Sequence, residues 1–392
     1  MNESVLSQLT AAFQKKFSDS GKPRYFRAPG RVNLIGGHTD YNDGFVLPVA
    51  IDREMLLAVS PRDDKKVKAY SCNFTDTRSF SLDKIEFNEE VMWINYLQGV
   101  AKYLQKAGFL LGGLDIALLG RVPLGAGLSS SAALEVAVAS AFREVFQLEL
   151  SDEKLAAIAR QAENDFVGVN CGIMDQFISV LGRKNRALFL DCRTQEYELI
   201  PIKNSGYKIV VANTNVEHHL ADSAYNKRQQ ECQQGVEILN NLFEKQISTL
   251  RDVNCDEFAA VKDKMPEVVR RRCQHVIYEN QRVKDCRQAL LDDDLEQAGK
   301  LISLSHKSLS NLYQVSCHEL DLIVNIALEI DGVLGARMTG AGFGGSTVNL
   351  VKDQAIAEFK TIVTNKYQDK TGIEPDIYIC EVVDGCGEIS LN

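Results

Sequence analysis

Long apolar runs are missing from this chain. No stretch approaches the ~20 residues that a helix needs to cross a bilayer, so no membrane span is expected. Positive charge is not in excess either: 44 Lys and Arg face 53 Asp and Glu, a net charge of −9. That balance speaks against nucleic acid as a partner. Ten cysteines are present, but there is no CxxC pair and no histidine at zinc-ligand spacing. Scattered from Cys72 to Cys386 in a chain too large to need staples, they read as free thiols in a reducing cytoplasm. The stretch Met1 to Lys16 lacks a long apolar core and a small-residue cleavage site, so a secretory leader is not expected. Fixed-period repeats and low-complexity linkers are lacking too.

What remains is globular material. Over 392 residues, 45% are hydrophobic and 25% charged, enough to bury the cores of two domains. Val5, Leu6, Leu9, Phe13 and Phe17 recur at helical spacing. Short β-rich runs follow at Arg24–Arg27, Val46–Ile51, Met55–Val59, Val67–Cys72 and Ser79–Leu82. Trp93 to Ala107 reads as a helix ended by Gly108. Leu114–Leu119 reads as a strand, Leu128 to Phe146 as an Ala- and Val-rich helix. Ser151 or Asp152 caps the next helix. After the strand Tyr207–Val211, a charged, mostly helical stretch runs from about His219 to Asn311. A helix at Cys317–Glu329, strands at Gly335–Met338 and Ser346–Val351, a helix at Asp353–Tyr367 and a strand at Ile377–Val382 complete a β-α-β-β-α-β order, the split βαβ arrangement. The change of pattern sets an expected boundary near residue 195, dividing 1–195 from 196–392.

Three segments carry chemistry. Pro123-Leu-Gly-Ala-Gly-Leu-Ser-Ser-Ser-Ala132 lies between an expected strand and an expected helix. Gly125 and Gly127 allow a tight turn, and free N–H groups at the helix start form an anion site. Ser129, Ser130 and Ser131 add hydroxyls for phosphate oxygens or a metal. A plain Gly/Ser turn with a serine cap fits the same letters. No GxxxxGK[ST] is present, so this is not the common P-loop, and no GxGxxG opens a dinucleotide fold.

The second segment, Ala28 to Gly44, crowds Arg31, Asn33, His38, Thr39, Asp40, Asn42 and Asp43 beside Val32, Leu34 and Ile35. Asp40 can accept from paired sugar hydroxyls, and Arg31 can stabilise a transferring phosphoryl group. The third, Gly335 to Ser346, is a glycine-rich hairpin suited to close packing on a phosphate loop. Two acidic stretches complete the set. Asp175 sits near the start of an expected helix, where a carboxylate is favoured; it is a proton acceptor or a cap. Glu163 is a metal ligand or a solvated helix acid.

Together these motifs resemble the GHMP small-molecule kinases, and among them the galactokinase branch. Gly30-Arg-Val-Asn-Leu-Ile-Gly36 with His38-Thr-Asp-Tyr-Asn42 is similar to that branch's signature. Gly125 to Ser131 resembles the family phosphate loop, Arg337 to Gly345 its third motif, and Cys171-Gly-Ile-Met-Asp-Gln176 a branch-specific segment. The order matches over nearly the whole chain.

The resemblance implies an α+β, two-domain fold. The N-terminal half would be like ribosomal protein S5 and the C-terminal half ferredoxin-like. It implies ATP- and Mg2+-dependent phosphorylation of galactose at its anomeric hydroxyl, giving galactose 1-phosphate. Asp175 would be the catalytic carboxylate, with Arg31 its partner. Ser131 and Glu163 would hold magnesium. Pro123, Gly125, Ala126, Gly127, Leu128, Ser129, Ser130 and Ser131 would cradle the phosphates, with Trp93 and Tyr96 by the base; for Trp93 a core position remains open. The sugar would meet Gly37, His38, Thr39, Asp40, Gly172 and Tyr225. No partner beyond sugar and ATP is expected, and the chain reads as a monomer or weak homo-oligomer.

The pattern departs from the family in three places. Galactokinases of this kind carry Glu just before the motif histidine, where it grips the sugar near C6. Here Gly37 has no side chain to do so. The expectation is a relaxed or shifted C6 preference, galacturonate included; an altered variant of an ordinary galactokinase fits Gly37 equally well. No new cation stands in the motif, which argues against a dedicated uronate site. Ala341 and Ser346 replace the more usual Gly and Cys, and Ala341 matters only if its φ is positive. A catalytically weak sugar and ATP sensor is the reading from another class, opposed by the intact Arg31, Ser131, Glu163 and Asp175.

Overall fold

Alternation along the strand Pro48–Arg62 decides the first sheet. Met55, Leu57 and Val59 enter one core while Leu56 and Ala58 enter another on the opposite face, as the two-residue period of a strand requires. The computed structural model describes residues 3–169, 171–203, 206–216 and 221–390. The expected helical start at His219 lies outside them.

The helix Glu3–Lys16 covers the outer face of this sheet with Leu9 and Phe13, packed on Tyr25, Leu56, Tyr70 and Ala117. The inner face receives the helices Met92–Lys106, Ser130–Val145, Asp152–Gln161 and Met174–Leu181. The six strands run in the order Gly387–Ile389, Arg24–Asn33, Pro48–Arg62, Gly113–Gly120, Lys66–Ser71 and Asp76–Ser81. Only the pairing of Lys66–Ser71 with Gly113–Gly120 is parallel.

Pro48–Arg62 joins two runs that the sequence separates. Opposite Pro29 and Gly30 the register jumps from Glu54 to Ile51. Asp52 and Arg53 form a bulge there, so their charge breaks the apolar pattern without ending the strand.

The second sheet runs Val333–Thr339, Ser346–Lys352, Tyr207–Asn213 and Asp376–Cys380, antiparallel throughout. Numbered along the chain this is the 4-1-3-2 order of a ferredoxin-like sheet read from its far edge, as the split βαβ pattern anticipates. Helices His318–Leu328 and Ile356–Thr371 cover one face through Ile323, Ala327, Phe359 and Val363. Helices Ala221–Leu242, Cys255–Val261 and Glu267–Leu291 build a separate core with Tyr313 and Met338.

A three-stranded sheet of Phe45–Val46, Arg186–Asp191 and Tyr197–Pro201 has no counterpart in the sequence reading, nor has the closing strand Gly387–Ile389. We propose keeping the division near residue 195. It falls at the turn of the Arg186–Asp191 and Tyr197–Pro201 hairpin, and the closing strand crosses it to pair with Tyr25–Arg27. All ten cysteines are free. Among the described residues no helix is long and apolar enough to cross a membrane.

Candidate active site

Arg31 comes just after the bulge on the strand Arg24–Asn33 and is buried. Asp175 is the second residue of the helix Met174–Leu181. The two meet in a bidentate pair: Nε and Nη2 of Arg31 each donate to one Asp175 oxygen at 2.8 Å. The third arm, Nη1, donates to the Gly127 carbonyl at 2.6 Å. Arg31 therefore ties the acid to the glycine–serine loop.

Ser129 precedes the helix Ser130–Val145 with φ of 60° and makes no capping bond. Its hydroxyl donates to Asp175 Oδ2 instead. The cap readings of Ser129 and Asp175 do not match this geometry, because both side chains face each other rather than helix amides.

Two cavities adjoin this pair, and Arg31, Gly340 and Ala341 line both. The larger, of about 490 Å3, is lined by Trp93, Tyr96, Pro123, Gly125, Gly127, Leu128, Ser129, Ser130 and Ser131. Ala126 does not line it; this residue is buried, and its carbonyl accepts from Ser346 Oγ at 2.7 Å. Ser346, from the third motif, thus braces the glycine–serine loop. Gly127 and Gly340 both have positive φ, and a Cβ on Gly340 would lie 3.0 Å from the Gly127 Cα. Two backbones touch there, which explains the glycines of both motifs. Ala341 is not among the positive-φ residues, so its methyl costs nothing. Trp93 Nε1 donates to Asp76 at 3.2 Å. Phe74, Met92 and Leu124 add exposed apolar wall, a feature that no sequence pattern marked.

The smaller cavity, of about 200 Å3, is lined by Gly37, His38, Asp40, Glu163, Cys171, Gly172, Asp175, Tyr225 and Arg337, among others. Thr39 is not brought there. It is fully buried, with its hydroxyl on the Gly36 and Phe45 carbonyls, which hold the loop closed. His38 has both ring nitrogens engaged. Nε2 lies 3.1 Å from the Ala341 carbonyl, so it carries the proton and donates. Nδ1 then accepts from Tyr41 Oη at 2.9 Å. Burial, reinforced by His275, pulls His38 down to about 3, so the ring is neutral. Burial and then Asp175 push Asp40 up to about 6. A Cβ on Gly172 would lie 2.0 Å from Asp40 Oδ2, so only glycine leaves that carboxylate its place.

Glu163 is buried in the wall of the smaller cavity. Gln176 Nε2 donates to it at 2.6 Å and Cys171 Sγ at 3.4 Å. Burial pushes its carboxyl up, opposed by the Ser131 hydroxyl. Behind it Glu135, fully buried, is pushed well above the carboxylate range by burial and then by Glu163 itself. Glu135 escaped the sequence reading, and Gln176 entered it only as the end of a quoted segment, with no role. The available signal was helical spacing, since Glu135 stands four residues after Ser131.

Ser131 and Glu163 offer hard oxygen donors on adjoining walls. No group of three or more His, Cys, Asp or Glu able to hold a metal occurs among the described residues. Such a sparse set fits Mg2+, which keeps waters and phosphate oxygens rather than a full protein cage.

Residues 11–61 match the galactokinase galactose-binding signature, 95–183 the GHMP kinases N terminal domain, and 286–369 the GHMP kinases C terminal domain. The chain is 46% identical to a galactokinase of Roseiflexus sp. over 93% of both chains. It is 42% identical to a galactokinase of Fusobacterium nucleatum over 98% of this chain and all of that one. Among solved structures it is similar to Lactococcus lactis galactokinase complexed with galactose, with a TM-score of 0.94, 37% identity and coverage of 98% and 100%. A mevalonate kinase of Methanococcus jannaschii, 18% identical with a TM-score of 0.64 over 93% and 99%, shares the fold. The chain belongs to the galactokinase family of GHMP kinases.

Proposed function

We propose that the protein transfers the γ-phosphoryl group of ATP to the anomeric hydroxyl of galactose, giving galactose 1-phosphate and ADP. One observation carries the reading: the Arg31–Asp175 pair stands where a phosphate-loop cavity meets a sugar-sized one. The larger cavity takes the nucleotide, with its phosphates on the loop amides of 125–131 and its base toward Trp93 and Tyr96. The smaller takes the sugar, with Asp40 accepting from ring hydroxyls and Gly172 and Tyr225 as wall.

Asp175 orients the attacking hydroxyl and takes its proton as the new O–P bond forms and the β–γ bridge breaks. Phosphoryl transfer asks chiefly for such positioning and for charge stabilisation. Arg31 supplies the cation beside the transferred group. Ser131 and Glu163 would hold Mg2+, which neutralises charge on the phosphate oxygens when bound. Glu135, Gln176 and Cys171 pack behind Glu163 and fix its orientation. Ten free thiols support a reducing compartment, the cytoplasm.

The test is galactose-dependent ADP release in a coupled assay, with the product identified by phosphorus NMR. Asp175→Asn should retain sugar binding and lose turnover by ~100-fold or more. Sugar binding without turnover in the unsubstituted chain would establish a sensor instead.

A further inference from the structure

One cation in the sugar cavity is unused by the proposed phosphoryl transfer. Arg337 lines that cavity, yet is only 1% exposed. Its Nε donates to the Met338 carbonyl at 2.9 Å. Its Nη1 is buried without a hydrogen-bond partner. Arg337 forms no ion pair among the described residues. The acid acting most on Arg337 is the buried Glu279, whose oxygens are taken by the amides of Gly36 and Gly37 at 3.0 and 3.3 Å, by Ser305, and by Arg282 at 2.7 Å. Burial pulls Arg337 down to about 10, with Glu279 opposing, so the group stays charged at neutral pH. A buried guanidinium with idle donors is costly and calls for an acceptor.

Gly37 sets where that acceptor comes from. A Cβ at this position would stand 2.6 Å from Arg337 Nη2 and 3.2 Å from Leu309. The guanidinium lies in the space that a side chain at 37 would need. With glycine there, no side chain from position 37 comes between the cation and a ligand. The expectation that no cation accompanies Gly37 holds only for its sequence neighbours, because the third motif brings one.

We propose that the Gly37–Arg337 wall is a carboxylate subsite, and that the enzyme also phosphorylates a hexuronic acid of galactose configuration. The inference rests on the kinase reading above and names its acceptor more widely. The group transfer is unchanged: the anomeric oxygen gains the phosphoryl group, ADP leaves, and the hydroxyl proton passes to Asp175. Asp40, Glu163 and Asp175 line the same cavity. They repel a carboxylate from their own side, and since Arg31 is paired with Asp175, Arg337 is left as its partner.

The experiment compares kcat/KM for galactose and galacturonate in the unsubstituted enzyme, Gly37→Glu and Arg337→Lys, with folding checked by thermal unfolding. The unsubstituted enzyme should turn over both sugars. Gly37→Glu sets a carboxylate against the guanidinium, so the galacturonate-to-galactose ratio should fall ~10- to 150-fold. Arg337→Lys keeps the charge but loses the planar fork, and should lower the same ratio. Galactose turnover without galacturonate turnover, or a ratio indifferent to Gly37→Glu, overturns the subsite and spares the kinase. Failure to phosphorylate either sugar overturns both.

Discussion

Replacing Arg31 by lysine keeps one positive charge while removing the geometry around it. Arg31 makes three hydrogen bonds, two to Asp175 at 2.8 Å and one to the Gly127 carbonyl at 2.6 Å. An ammonium on a longer stem reaches one Asp175 oxygen or the Gly127 carbonyl, not all three. Each lost bond to a charged group is worth ~1.5–3 kcal/mol. The Asp175 side chain is 23% exposed, so water replaces part of what is lost. About 2 kcal/mol in transition-state stabilisation remains, or ~30-fold in kcat/KM. The loss should fall in kcat, because the fork positions Asp175 for the transferred group. Ser129 also donates to Asp175, so Arg31→Lys combined with Ser129→Ala should lose more than the two separate losses added together. Steady-state kinetics with both substrates varied, beside ATP titration calorimetry, separates these effects. An Arg31→Lys enzyme within twofold of the parent would refute the assignment. So would a loss confined to ATP affinity, which would leave Arg31 only a brace for the loop through Gly127.

Other outcomes follow from the same geometry. Asp40, pushed up to about 6 from an ordinary 3.8, should protonate in mild acid, so KM for galactose should rise below about pH 6; a KM flat from pH 5 to 7.5 would contradict this. The linked stability runs the other way: the raised group contributes stability that is full below about pH 4 and lost as pH rises through about 6, readable as a urea midpoint that falls over that range unless Asp40→Asn is present. Gly30→Ala puts a Cβ 2.6 Å from the Leu128 carbonyl, a backbone atom with little room to give, and should cost about 1–3 kcal/mol in urea unfolding. Trp93→Leu should raise KM for ATP about 3- to 10-fold and spare that for galactose, since Trp93, part of the buried core, lines the larger cavity and not the smaller; equal effects on both would leave Trp93 a core role only.

Much of the fold was legible because periodicity is local. The helix Glu3–Lys16 shows its buried face in Leu9 and Phe13, and the C-terminal sheet follows from six segments in β-α-β-β-α-β order. What escaped is set by distant partners. Arg186–Asp191 and Tyr197–Pro201 are strands because Phe45–Val46 and each other complete them. Gly387–Ile389 is a strand because the edge at Tyr25–Arg27 needs a neighbour. Asp52 and Arg53 look like an interruption until the bulge opposite Pro29 and Gly30 is seen.

The site divides the same way. Residues with unusual chemistry inside a motif were legible: Arg31, Asp40, Gly172 and Asp175 do converge. Membership of a motif did not tell which face a side chain takes. Thr39 and Ala126 sit between lining residues yet point into packing. The deepest gap concerns Arg337. In the sequence it is one cation in a glycine-rich hairpin, 300 residues from Gly37. Only the fold shows that the missing side chain at one position and the idle guanidinium at the other share a single space. If the proposed carboxylate subsite holds, a departure at one site changes the meaning of a residue at another, and acceptor specificity at that wall belongs to the pair rather than to either motif.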